Sequence, residues 1–220
     1  MIVTGIERRK NHPDRYSIFV DGEFTLGVRS EVLLAAGLRE GDTLTPDRIE
    51  ALRNEEELGA ARSTAARYLG RRRRTEWEIR RRLTSREFPP AVINRVVGEL
   101  VSSGQLNDRE YVLAFVHDAQ LRKPSGKRML SVKLRRKGLS REFLAEVLPS
   151  AIGPEEEAEL ALRSARGYIS KLHRRALAGK VFAPGKMRGM LRVYLNGRGF
   201  DSAAISEAMK GLTDDPDDGE

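Results

Sequence analysis

Guanidinium is the densest chemistry in this 220-residue chain. Arg71-Arg72-Arg73-Arg74 is followed by Arg80-Arg81-Arg82 and Arg86, and planar guanidinium forks match phosphate oxygens and carboxylates alike. A second basic run contains Lys127-Arg128, Lys133, Arg135, Arg136 and Lys137. Together these fourteen side chains are the candidates for contact with a polyanion or an acidic protein surface. For any one of them the plain alternative is a solvated face.

Other chemistry is sparse. Gly126-Lys127 and Gly185-Lys186 lack the glycine five residues upstream that a phosphate-cradling loop requires, and neither is followed by Ser or Thr. No His-Glu-x-x-His and no nucleophile-elbow pattern occurs. With no cysteine, and with His12, His117 and His173 scattered at no ligand spacing, the sequence offers no metal site, cofactor site or catalytic residue. Trp77, the single tryptophan, sits among the arginines. A base or a partner could stack on it, but such a ring more often covers a neighbouring helix. Tyr111, Phe115, Tyr168 and Tyr194 fall on apolar stripes and read as core.

The elements that hold these residues repeat. Leu83, Leu134 and Leu195 anchor one register, with Ile79, Leu130 and Leu191 four residues before and Phe88, Leu139 and Phe200 five after. Ile93, Leu144 and Ile205 follow, then Val97, Leu148 and Met209. The spacing is helix, tight turn, helix. Units of this kind cannot bury an apolar stripe alone, so the fold expected is mainly α, an elongated, curved array of three tandem three-helix repeats. Thr75-Glu76-Trp77-Glu78 reads as a capping box. Gly138 and Gly199 fit left-handed helix ends, with Ser140 and Asp201 as the next caps. The first repeat has Glu87 at the glycine position, then Pro89-Pro90.

Charge follows the repeats. Residues 1–57 carry a net −4, residues 58–150 a net +12, residues 151–212 a net +5, and 213–220 a net −5. The third repeat keeps only Lys186, Arg188, Arg192 and Arg198 in the matching helix. A positive field of this kind attracts polyanions and acidic surfaces and raises encounter rates.

Residues 2–28 predict β structure, with Asp21-Gly22 as a hairpin turn ahead of Glu23. A two-residue turn sets Val20 opposite Glu23 and splits Tyr16, Ile18 and Val20 from Phe24, Leu26 and Val28. A three-residue loop unites all six, and the sequence leaves both open. Ser30 is the expected cap of a helix ending before Gly37, and Thr45-Pro46 opens a second helix running to about Glu57. Leu58, Ala61, Ala65, Tyr68 and Leu69 then begin the first repeat. The expected parts are a β-rich module with short helices over 1–57, repeats over 58–103, 104–153 and 154–212, and a disordered acidic tail over 213–220. No apolar run is long enough to span a bilayer, and the N-terminus lacks the build of a signal peptide, so a cytoplasmic protein without membrane contact is expected.

The segments Arg74–Leu83, Leu106-Asn107-Asp108-Arg109-Glu110-Tyr111 with Phe115-Val116, and Leu134–Leu139 resemble the bacterial regulatory protein RecX family. Tyr16–Phe24 is similar to the β-rich extension found in part of that family. Departures are Asn107 where the family commonly has Asp, Pro124-Ser125-Gly126 before the middle repeat, and a longer Ala178–Gly185 linker. The resemblance implies a non-enzymatic modulator, usually an inhibitor, that lodges in the groove of the RecA recombinase filament on DNA. It transfers no individual contact residue. The expected partners are therefore the RecA filament and DNA, single- or double-stranded and without sequence specificity, met by a monomer. The alternative is a nonspecific DNA-binding helical-repeat protein with no recombinase target.

Overall fold

The computed structural model describes residues 1–177 and 184–212. In chain order it contains β1 (Val3–Arg9), β2 (His12–Val20), β3 (Glu23–Arg29), α1 (Ser30–Ala36), α2 (Pro46–Leu69), α3 (Glu76–Thr84), α4 (Pro90–Ser102), α5 (Asp108–Arg122), α6 (Lys127–Arg135), α7 (Arg141–Ala151), α8 (Pro154–Leu177), α9 (Pro184–Gly197) and α10 (Ser202–Gly211). The chain is mainly helical, as expected, with one antiparallel sheet of order β1-β2-β3 at its N-terminus. Two compact units form: residues 1–73 with 79–106, and residues 74–78 with the described residues from Asn107 on. Most of the expected 178–185 linker and the acidic tail lie outside the described residues.

The hairpin combines its two sequence alternatives. Asp21 and Gly22 have φ of +51° and +85°, so the turn has two residues and Val20 faces Glu23. A bulge at Thr25 then shifts the register, because Phe19 faces Phe24 while Ile18 faces Leu26. The extra residue brings Ile18, Val20, Leu26 and Val28 into one buried cluster with Val3. Only Phe24 is turned outward, 54% exposed, with its ring edge-on to Phe19 at 6.0 Å.

Ser30 is the first residue of α1 rather than its cap. Extended Arg29 occupies the cap position without a side-chain cap bond, because a guanidinium has no acceptor, and its own amide donates to Glu56 Oε2 at 2.7 Å. Gly37 ends the helix in the left-handed region, as expected. Thr45 caps α2 through the Arg48 amide, also as expected, but the helix does not stop near Glu57. It continues to Leu69 through Gly59, a poor helix former, because both ends of the helix are held by packing. One end of α2 buries Ile49 and Leu52 under the sheet, and the other buries Leu58, Ala61 and Ala65 with Ile79, Leu83, Ile93, Val96 and Val97. Arg15 and Arg29 both reach Glu56, which ties the sheet to the middle of this helix.

All three repeat anchors, Leu83, Leu134 and Leu195, are fully buried. The three helix ends that follow are alike. Glu87, Gly138 and Gly199 have φ of +63°, +84° and +81°, and their amides donate to the carbonyls three residues back at 2.9, 3.0 and 2.9 Å. The Phe88 and Phe200 amides add the longer bond to Leu83 and Leu195. Ser140 and Asp201 cap α7 and α10 as expected. Tyr111 is buried in the core of the second unit, with Phe115, Tyr168 and Tyr194 packed against it.

Candidate polyanion interface

Helix α3 starts from the capping box predicted for it. The Glu78 amide donates to Thr75 Oγ1 at 3.2 Å and the Thr75 amide to Glu78 Oε2 at 3.3 Å, both residues being buried. Thr75 Oγ1 in turn donates to the Lys137 carbonyl at 2.7 Å, and the Glu76 amide donates to Asp108 Oδ1 at 2.9 Å. Burial raises the Asp108 carboxyl above its ordinary value, with Glu76 and Glu78 adding to that and the amide bond opposing it. Trp77 lies across Gly138, where an added Cβ would stand 2.1 Å from its Cγ. The ring covers a neighbouring turn, as expected, and remains 40% exposed.

The start of α6 is built the same way. The Gly126 amide donates to the Arg198 carbonyl at 3.0 Å and the Lys127 amide to Glu157 Oε1 at 3.0 Å. Gly199 packs on Met129 as Gly138 packs on Trp77. In both junctions the first turn of another helix lends a carboxylate to the first amide of the helix, and a following helix end lends a carbonyl, to the Thr75 hydroxyl in one and to the Gly126 amide in the other. Glu157 was not singled out from the sequence. Its signal was a carboxylate in the first turn of α8, matching Asp108 in the first turn of α5.

These junctions divide the fourteen basic candidates. Arg74 and Lys137 both approach Glu78 Oε1, at 3.7 and 3.4 Å. Lys127 pairs with buried Glu157 at 3.0 Å. Arg128 bonds Asn196, and Arg80 donates to Asn94 Oδ1 at 2.6 Å. Arg72 reaches the Arg73 carbonyl at 3.4 Å, and Arg81 is exposed on α3. Arg82 lies over the Tyr68 ring, 5.7 Å from its centroid. Arg71, Arg73, Arg86, Arg135 and Arg136 are exposed and Lys133 is half-exposed, and among the described residues none of the six is held in a salt bridge. Of the third-repeat set, Arg198 is a structural clamp, donating to the Lys123 and Pro124 carbonyls and to Ser125 Oγ.

The first unit gathers four arginines at one cleft of about 310 Å³, lined by Thr64, Arg67, Tyr68, Arg71, Arg82 and Arg86. Arg67 was not singled out from the sequence. The available signal was the paired i,i+4 spacing, Arg67 with Arg71 and Arg82 with Arg86. The second unit has a wider groove, lined by Lys127, Arg128, Arg135 and Arg141 around Leu144, Ala145, Leu148 and Pro149. Among the described residues no three His, Cys, Asp or Glu side chains converge as metal ligands, and no helix is long and apolar enough to cross a membrane.

Comparisons with known proteins agree on one family. Residues 1–45 match the regulatory protein RecX N-terminal domain, residues 61–100 the RecX first three-helix domain, and residues 107–148 its second three-helix domain. A relative named "Regulatory protein RecX" from Lacticaseibacillus paracasei is 28% identical over 98% of this chain and 86% of its own. One from Clostridium beijerinckii is 25% identical over 94% of each. A crystal structure of regulatory protein RecX aligns with TM-score 0.73 at 24% identity, over 95% of this chain and 98% of that one. The crystal structure of RecX from Lactobacillus salivarius gives 0.64 at 18%, over 72% and 98%. At these identities the two solved structures speak to the fold.

Proposed function

Since this chain belongs to the RecX family of regulatory proteins, we propose that it is a non-enzymatic regulator of homologous recombination in the cytoplasm, binding the RecA–DNA filament as a monomer and lowering its ATPase and strand-exchange activity. The observation that carries the reading is the set of basic side chains left without a salt bridge among the described residues. Arg71, Arg73 and Arg86 in the first unit and Lys133, Arg135 and Arg136 in the second lie in the segment whose net charge is +12. Such groups meet phosphate oxygens or an acidic protein face without first breaking an internal pair.

Regulation of this kind is steric. A chain seated along a nucleoprotein filament hinders nucleotide turnover, filament growth or the approach of a second duplex, and it needs no catalytic group. The test adds the protein to the recombinase on single-stranded DNA and follows ATP hydrolysis and strand exchange. Both should fall as the protein is titrated. Unchanged rates at saturation refute the proposal. Filament binding that persists at a salt concentration abolishing naked-DNA binding separates it from a nonspecific DNA-binding protein.

A further inference from the structure

The four-arginine cleft of the first unit has features that a solvated charge run lacks. Arg67 and Arg71 converge with Arg82 and Arg86 on about 310 Å³, with Thr64 and Tyr68 between them and no carboxylate in the lining. That size falls at the small end of ligand pockets. Arg82 lies over the Tyr68 ring, 5.7 Å from its centroid, and its buried Nε–H, like those of Arg15 and Arg29, has no hydrogen-bond acceptor among the described residues. Elsewhere in this unit Arg15, Arg29 and Arg62 do find carboxylates, in Glu56 and Glu99. Here four like charges share a concave space that an anion would neutralise.

We propose that this cleft binds a terminal phosphate group of high charge density, a pyrophosphate or polyphosphate moiety. An internal phosphodiester carries one negative charge, whereas a terminal phosphate or pyrophosphate carries two or more on several oxygens that guanidinium forks can grip together. The group can come from a free nucleoside triphosphate or from the phosphorylated end of a nucleic-acid strand. The site needs no recombinase, although it uses three arginines assigned above to polyanion contact.

Isothermal titration of the full chain with inorganic pyrophosphate at low salt tests the site. Wild type should bind, and Arg71→Ala/Arg86→Ala should bind at least tenfold more weakly. Both side chains are exposed, so the fold should survive, which far-UV circular dichroism checks. Arg53→Ala/Arg122→Ala removes the same charge elsewhere on the surface and should stay within twofold of wild type. Equal weakening in the two double variants, or no binding by wild type, overturns the proposal. Competition then identifies the source: displacement by ATP marks a free nucleotide, and displacement by a 5′-phosphorylated but not a 5′-hydroxyl oligonucleotide marks a strand end. If both oligonucleotides displace pyrophosphate equally and ATP does not, the cleft reads backbone phosphodiesters and the proposal fails. Loss of this site with filament inhibition intact would leave the regulatory reading standing.

Discussion

Gly138→Ala should be among the most damaging single-methyl additions this chain can receive. Two costs combine at that position. The backbone is left-handed at φ +84°, which costs a residue with a Cβ roughly 1–2 kcal/mol. The new Cβ would also stand 2.1 Å from Trp77 Cγ, 2.3 Å from its Cβ and 2.5 Å from Cδ2. Relief requires moving the ring and the start of α3, an overpacking cost of about 1–3 kcal/mol. The expected loss is therefore about 2–5 kcal/mol. Gly104→Ala supplies the backbone reference, because φ there is +71° with nothing within 4 Å of the added methyl. It should cost only the first part, about 1–2 kcal/mol. Urea unfolding followed by circular dichroism measures both. Fluorescence of Trp77, the one tryptophan, reports the junction directly and should change in Gly138→Ala. Trp77→Ala/Gly138→Ala should recover only part of the loss, because the residue 77 Cβ stays in the way. A Gly138→Ala variant no less stable than Gly104→Ala would refute the close-packing argument.

The remaining predictions concern the turn of the first repeat and two kinds of charge. Glu87→Gly relieves a left-handed φ of +63° at a helix end, so urea unfolding should show a gain of about 0.5–1 kcal/mol, and a loss would mean that the Glu87 side chain matters. Glu99 is held below the ordinary carboxylate range by its two-point bond from Arg62, so its contribution is present above about pH 4.5 and disappears as pH falls through its lowered folded-state value. The pair is well exposed, so Glu99→Gln should cost at most about 1 kcal/mol at pH 7 in chemical denaturation, and that difference should vanish in acid. If Arg135 and Arg136 both meet phosphate, Arg135→Ala/Arg136→Ala should flatten the dependence of log K on log salt for duplex DNA by about 2, and an unchanged slope would exclude them.

What the sequence determined is what depends on neighbours along the chain. The Asp21-Gly22 turn, the capping box of Thr75 and Glu78, the caps at Ser140 and Asp201 and the left-handed Gly138 and Gly199 all involve groups within a few residues, so residue type and spacing suffice to fix them. The repeat register was legible for the same reason, since a helix displays its buried stripe as a period. Tertiary structure decided the rest. The bulge at Thr25 follows from burying Ile18 with Leu26 on a common core. Helix α2 runs past Glu57 because one end packs under the sheet and the other in the first repeat. The basic runs had a sum but no division of labour until the fold brought Glu78 to Lys137 and Glu157 to Lys127, partners 59 and 30 residues apart. Whether a charge is internal or available depends on which carboxylate packing places within a few ångströms, and that distance is set by the core rather than by the run in which the charge is written.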